Sequence, residues 1–189
     1  FRNARVVNVL TGEIHEETVG VAGDRILGFG PYRAADPANE IDLKGAFLAP
    51  AFWDAHIHVE STMTTPPVFA RLAAVHGTAA VVTDPHEIAN VRGAEGLEAF
   101  LDSAEGLPVE LHVMLPSCVP ATHLETAGAD LPAAELARFY GRKNVLGLAE
   151  MNYISSLDED AAAASMERLM ATEPVAVVIT RSLECPDKL

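Results

Sequence analysis

The chain has 189 residues, of which 49% are hydrophobic and 21% charged, and its formal net charge is −14. That composition predicts a soluble globular protein, and the acidic balance disfavours nucleic acid and anionic membrane as partners, leaving a small molecule, a cation or a protein. Cys118 and Cys185 lie far apart with no CxxC spacing, so no disulfide framework is expected and a reducing cytoplasm is the default.

No apolar run reaches the roughly 20 residues that a membrane span requires. No signal peptide opens the chain, and Phe1 in place of Met predicts that an N-terminal piece is missing. Residues 4 to 48 read as short strands: ARVVNVL, then VGVAGDRILGFG with Gly23 and Asp24 as its turn, then IDLKGAFLAP. They form a predicted small β unit, residues 1–48, ahead of a main domain over residues 49–189.

From residue 49 strands and helices alternate. A helix is predicted from about Pro66 to His76, with Phe69, Leu72, Ala73 and His76 on one face and Gly77 closing it. The buried strand TAAVVT (78–83) follows, then the loop DPHEIAN. A second helix carries Leu97, Phe100, Leu101 and Ala104 on one face. Next come strand VELHVML (109–115) and a long loop, PSCVPATHLETAGAD. Pro132 opens a third helix with Ala133, Leu136, Ala137 and Tyr140 at helical spacing, and strand NVLGLAE ends at Glu150. A helix around AAAAS is capped by Ser156 with Glu159 three residues on, and VAVVIT (175–180) offers a fifth strand. This rhythm predicts parallel β/α units.

Chemistry concentrates in FWDAHIHVESTM, residues 52 to 63. Strand alternation points Asp54, His56 and His58 one way, and Trp53, Ala55 and Ile57 the other, under the helices. Two imidazoles at the carboxyl end of a barrel strand converge where such barrels place their sites. Imidazole suits Zn, Fe, Mn or Ni, and Asp54 is a candidate to orient a ring; the bland alternative is two surface histidines. Glu150, ending an apolar strand, is either a solvated carboxylate or one that bridges two divalent cations. The loop after the second strand packs Asp84, His86, Glu87 and Asn90 together, which fits a ligand-facing loop or a helix N-terminus rich in capping groups. His123, Glu125 and Thr126 are weaker candidates. His112 reads as a core histidine, His15 and His76 as structural or surface residues, and Cys118 has no histidine partner to activate it.

FLAPAFWDAHIHVESTM, VVTDPHEIANV, LPSCVPATHLETAGA and VLGLAEMNY together resemble the bacterial adenine deaminases of the amidohydrolase superfamily, over roughly residues 4 to 153. HxH is shared across that superfamily, whereas DPHEIAN and PSCVPAT followed by LETAGA are more specific. The resemblance implies a metal-dependent TIM-type (β/α)₈ barrel that converts adenine to hypoxanthine and ammonia in cytoplasmic purine salvage, and a homo-oligomer. It implies a binuclear divalent metal site, manganese or iron, with zinc as a further option. His56 and His58 become metal ligands, with Glu150 as the bridging carboxylate. Asp84, His86 and Glu87 join Glu150 as catalytic candidates, and Glu60, Asn90 and Ser117 become candidates for binding substrate. Departures are Ala51 where the family has Gly, no second Met after Met151, and a stretch from 154 to 189 that the resemblance does not reach.

A complete barrel takes about 250 residues, and residues 49–189 number 141, enough for about half. All seven histidines lie at or before His123, so no later strand supplies imidazoles. Asp158, Asp160 and Asp187 follow no strand in the order expected for a proton-shuttling aspartate. The expectation is therefore a partial barrel preceded by a small β unit: a fragment, a chain with internal gaps, or a degraded product of a longer enzyme. The rival readings are another cyclic amidohydrolase, of the dihydroorotase or hydantoinase kind, and a non-catalytic binding or assembly module.

Overall fold

In the first unit, Phe1–Ala51, strand β1 (Ala4–Asn8) sits between two partners. It pairs antiparallel with β2 (Glu13–Glu17) and parallel with β5 (Phe47–Leu48), while β3 (Val19–Ala22) and β4 (Arg25–Phe29) form a hairpin across Gly23 and Asp24. Ala4, Val6 and Val19 make its small core, with Leu43 and Leu48 packed alongside. β2 has no counterpart among the predicted strands, because EIHEE is exposed throughout and shows no apolar alternation. The hairpin geometry comes instead from Asn8, whose side-chain oxygen accepts the N–H groups of Leu10 and Thr11 and turns the chain back.

The computed structural model describes residues 1–117, 119–120, 126–149 and 176–177. Cys118, His123, Glu125, Glu150, Asp158, Asp160, Cys185, Asp187 and the helix cap at Ser156 lie outside them. The second unit, Phe52–Leu189, is built on a parallel sheet ordered β10-β9-β8-β7-β6. Its strands are β6 (Phe52–Ile57), β7 (Thr78–Thr83), β8 (Glu110–Leu115), β9 (Val145–Leu148) and β10 (Ala176–Val177). Helix α1 (Pro66–Ala74) connects β6 to β7, and α2 (His86–Ser103) connects β7 to β8. α3 (Ala133–Leu136) precedes β9 and continues as a 3₁₀ turn, Ala137–Phe139. This is the βα rhythm read from the sequence, and among the described residues it makes an open five-stranded sheet with no closed barrel. No helix among them is long and apolar enough to cross a membrane.

The helices cover one face of the sheet. Val81, Leu111, Val113, Leu115 and Leu148 from the strands pack against Ala70, Leu97, Phe100, Leu101 and Leu136 from the helices. Each fully buried leucine contributes about 1.5–3 kcal/mol through removal from water. Arg142 reinforces this layer from outside, donating to Asp102 at 2.6 Å and to Glu105 at 3.0 Å on α2 and the residues just after it.

Two features depart from the sequence reading. DPHEIAN is not a loop throughout: α2 begins at His86, so of the two readings the helix N-terminus holds, but with Pro85 at its N-cap and no side-chain cap. Polar density there marks a first helical turn, and α2 is interrupted at Gly93, whose φ of 57° and ψ of −140° are open only to glycine. The carbonyl of Asn90, just before the break, accepts the N–H of Gly128 at 2.9 Å. A Cβ at Gly128 would stand 2.5 Å from the Val91 carbonyl oxygen, so this close approach requires glycine.

The second departure is the parity of β6. Asp54 pairs with Val81 and Ile57 with Thr83, so β6 contains one more residue than β7 over that interval. Such a bulge reverses the alternation. Ile57 packs against the helix-side core as expected, but Trp53 stacks on His112, ring centres 5.4 Å apart and planes at 17°. His112 alternates with the core residues Leu111 and Val113, so it and Trp53 occupy the face away from the helices. His112 is thus a largely buried ring on the opposite face rather than part of the helix-side core, and Trp53 does not lie under the helices.

Candidate metal centre

Parallel strands place the residues that follow them along one edge of the sheet. At the end of β6, the His56 and His58 rings meet edge to face, with centres 5.1 Å apart and planes at 81°. Both flank Ile57, which faces the helices, so the imidazoles stand on the opposite side. At the end of β7, Asp84 extends the pairing by donating its N–H to the Ile57 carbonyl at 3.1 Å. That bond brings the start of α2 beside the two histidines.

The carboxyl of Asp84 is completely buried, and its Oδ2 lies 3.2 Å from Nδ1 of His86. The His86 ring centre stands 6.5 Å from that of His58. Glu87, the next residue on α2, sets its Oε2 3.4 Å from Nδ1 of His58 and accepts the Ser61 hydroxyl on Oε1 at 2.7 Å. Burial works to raise the Glu87 pKa, but the Ser61 hydroxyl, its own backbone N–H and His58 outweigh it and hold the carboxyl below its ordinary range. Glu60 lies on the 3₁₀ turn Glu60–Thr62 that follows β6, and its Oε1 accepts the Ile88 N–H at 3.3 Å. Burial there pushes its carboxyl above the usual range, because the ionised form loses water.

Of the residues singled out from sequence, His56, His58, Glu60, Asp84, His86 and Glu87 are thus brought to one edge by β6, β7 and the start of α2. Asn90 is one turn further along α2, with its side-chain oxygen buried and without a partner among the described residues. Ser117 follows β8, two strands from β6, at the same end of the sheet. Asp54 serves the backbone: its Oδ1 accepts the His56 N–H at 3.1 Å. Among the described residues, the carboxylate set against an imidazole nitrogen of the pair is Glu87, and Ser61, which holds it, was not singled out from sequence. The sequence carried only a coarse signal for it: residues just beyond adjacent parallel strands share an edge, which does not say which side chains meet.

A divalent ion fits the histidine pair. Two imidazoles bound to one ion at about 2.1 Å and a tetrahedral angle have ring centres about 5 Å apart, which matches His56 and His58. Among the described residues, no group of three or more His, Cys, Asp or Glu side chains forms a cluster able to hold a metal. Further donors must therefore come from elsewhere, and Glu150 lies outside the described residues.

The profile of the amidohydrolase family matches residues 47–178. The chain belongs to the amidohydrolase family. Within it, the chain is 50% identical over 162 residues to an adenine deaminase of Oleidesulfovibrio alaskensis, covering 84% of this chain and 28% of that protein. It is 43% identical over 178 residues to an adenine deaminase of Geobacillus kaustophilus, covering 90% of this chain and 30% of the relative. Against that of Listeria monocytogenes the identity is 47% over 151 residues, 80% of this chain and 26% of the relative. The chain spans between a quarter and a third of the length of these curated relatives. Membership of the amidohydrolase family implies a TIM-barrel type of fold and a divalent metal cofactor.

Proposed function

We propose that this chain carries the first metal-binding strands of an adenine deaminase, a hydrolase that converts adenine to hypoxanthine and ammonia. The observation that carries the reading is the edge-to-face pair of His56 and His58 at the end of β6, in a chain that is 43–50% identical to adenine deaminases over most of its length. His56 and His58 would hold a divalent ion, manganese or iron, with zinc a third option, and Glu150 would bridge to a second. Bound there, the metal supplies acidified water for attack on the amino-bearing carbon.

The chain's own residues do the rest. Asp84, buried and 3.2 Å from Nδ1 of His86, fixes that ring and favours hydrogen on Nδ1. His86 then presents Nε2 to accept or return a proton as ammonia leaves. Glu60, Asn90 and Ser117 line the same edge and offer oxygen acceptors and a hydroxyl to the exocyclic and ring nitrogens of a purine. Adenine as a small-molecule substrate, a homo-oligomeric state and a cytoplasmic role in purine salvage complete the proposal.

The test is a chimaera. Residues 4–153 of this chain replace the matching segment of the Oleidesulfovibrio alaskensis enzyme, and the product is loaded with Mn²⁺. Hypoxanthine and ammonia formed from adenine, with no ring opening of dihydroorotate, are the expected result. A folded, metal-loaded chimaera that leaves adenine untouched, or that opens dihydroorotate, overturns the reading.

A further inference from the structure

We propose that Ser61 and Glu87 are positioning residues for His58, holding its ring in the tautomer with hydrogen on Nδ1 so that the Nε2 lone pair is presented to a divalent cation. This role presupposes that His58 is a ligand, as proposed above, but it is a property of the chain before any ion arrives.

A neutral imidazole carries its single N–H on either nitrogen, and the partner of one nitrogen decides the state of the other. A carboxylate beside Nδ1 settles that choice electrostatically. Its oxygen attracts a hydrogen on Nδ1 and would repel a lone pair there. In this chain the oxygen is Oε2 of Glu87, 3.4 Å from Nδ1 of His58, an ion-pair contact rather than an aligned hydrogen bond. A glutamate has three side-chain torsions and costs entropy to hold still. Here its other oxygen, Oε1, is held by the Ser61 hydroxyl at 2.7 Å.

The backbone fixes both ends of this chain of contacts. Ser61 sits in the 3₁₀ turn Glu60–Thr62, which is closed by Met63 at a φ of 58° and by the Met63 N–H donating to the Glu60 carbonyl. Glu87 sits on the first turn of α2, whose entry is tied to β6 by the bond from the Asp84 N–H to the Ile57 carbonyl. The contact therefore spans 26 residues of sequence yet joins two connections that leave adjacent strands. Among the described residues, Asp54 bonds the His56 backbone, Asp84 lies against His86, and Glu60 bonds the Ile88 backbone through Oε1, so Glu87 is the carboxylate set against Nδ1 of His58. Outer partners of this kind typically change metal affinity by about 10–100-fold.

The experiment reads the ring directly. Long-range ¹H–¹⁵N spectra of the metal-free 189-residue chain, taken above the histidine titration range, separate protonated from bare ring nitrogens. The wild-type chain is expected to show Nδ1 of His58 protonated and Nε2 bare. Ser61→Ala, a change in an exposed turn that leaves the core intact, should move the ring toward a mixture. Glu87→Ala should move it further and weaken Zn²⁺ binding by about 10–100-fold, while Glu87→Gln, which keeps the shape and an oxygen dipole but loses the charge, should fall between wild type and Glu87→Ala. Wild-type His58 protonated on Nε2, or a tautomer and Zn²⁺ affinity unchanged in folded Glu87→Ala, overturns the proposal. A wild-type chain that shows the expected tautomer and its dependence on Glu87 but binds no Zn²⁺ upholds the positioning role and removes the metal-centre reading instead.

Discussion

Replacing Gly93 with alanine sets two expectations of opposite sign against each other. In an unbroken helix, glycine to alanine stabilises by about 1 kcal/mol. At Gly93, however, φ is 57° and ψ is −140°, a conformation that costs a residue with a Cβ about 1–3 kcal/mol. The added methyl would also lie 3.0 Å from the Ala129 Cβ, so the 126–131 segment must shift to admit it. Offsetting these, alanine lowers the entropy of the unfolded chain by an amount worth about 0.4–1 kcal/mol. The balance is a destabilisation of about 1–2 kcal/mol, with a matching loss where the Gly128 N–H meets the Asn90 carbonyl. Urea unfolding followed by far-ultraviolet circular dichroism measures it, as a lower midpoint at unchanged slope. A midpoint equal to or above that of the unsubstituted chain would mean that α2 runs straight through residue 93, and the account of how the Gly128 segment docks on the Asn90 carbonyl would fail with it.

Three further outcomes are expected. The Asp42 carboxyl accepts the Lys44 N–H and the Asn3 side-chain amide, and these contacts hold its pKa below the usual range. Because the folded value is the depressed one, its contribution is present above the unfolded pKa of about 3.9 and is lost as pH falls through the folded value. Asp42→Asn should therefore flatten the acid limb of the melting temperature, and parallel limbs for the two chains would contradict this. Tyr140 buries its hydroxyl with no partner among the described residues, so Tyr140→Phe should leave stability within about 0.5 kcal/mol or raise it; a loss beyond about 1 kcal/mol in urea unfolding would reveal a bond. Finally, His56→Ala should lower Mn²⁺ or Zn²⁺ affinity by at least the roughly 10–100-fold that loss of an outer partner costs. Competition with a chelator measures it, and unchanged retention would place the ion elsewhere.

The parallel sheet was legible because buried β/α strands announce themselves as short apolar runs. TAAVVT became β7 without a shift, and Pro66 and Gly77 bracket α1 because proline suits a first turn and glycine adopts the positive φ that ends one. What the sequence hid were features that depend on pairing. EIHEE is a strand through the hydrogen bonds of β1, which leave no pattern in its side chains. Trp53 changed faces because a bulge is a property of two strands together, and alternation within one cannot show it. The site was legible where chemistry is local, as in the two histidines of HIH. The link from Ser61 through Glu87 to His58 was not, because its spacing of 26 residues is set by the length of α1 and β7, which has no bearing on side-chain chemistry.

The stack of Trp53 on His112 gives this protein an optical handle. Trp53 is the only tryptophan in the chain, and its ring lies on the face away from the helices, 62% exposed. Its emission therefore comes from a single known position and should lie toward the red, as for an indole in water. Whatever covers that face, whether further strands of a longer chain or a second copy, would displace water from the indole and shift the emission to the blue. One spectrum would then follow closure of the sheet in real time, with no label attached.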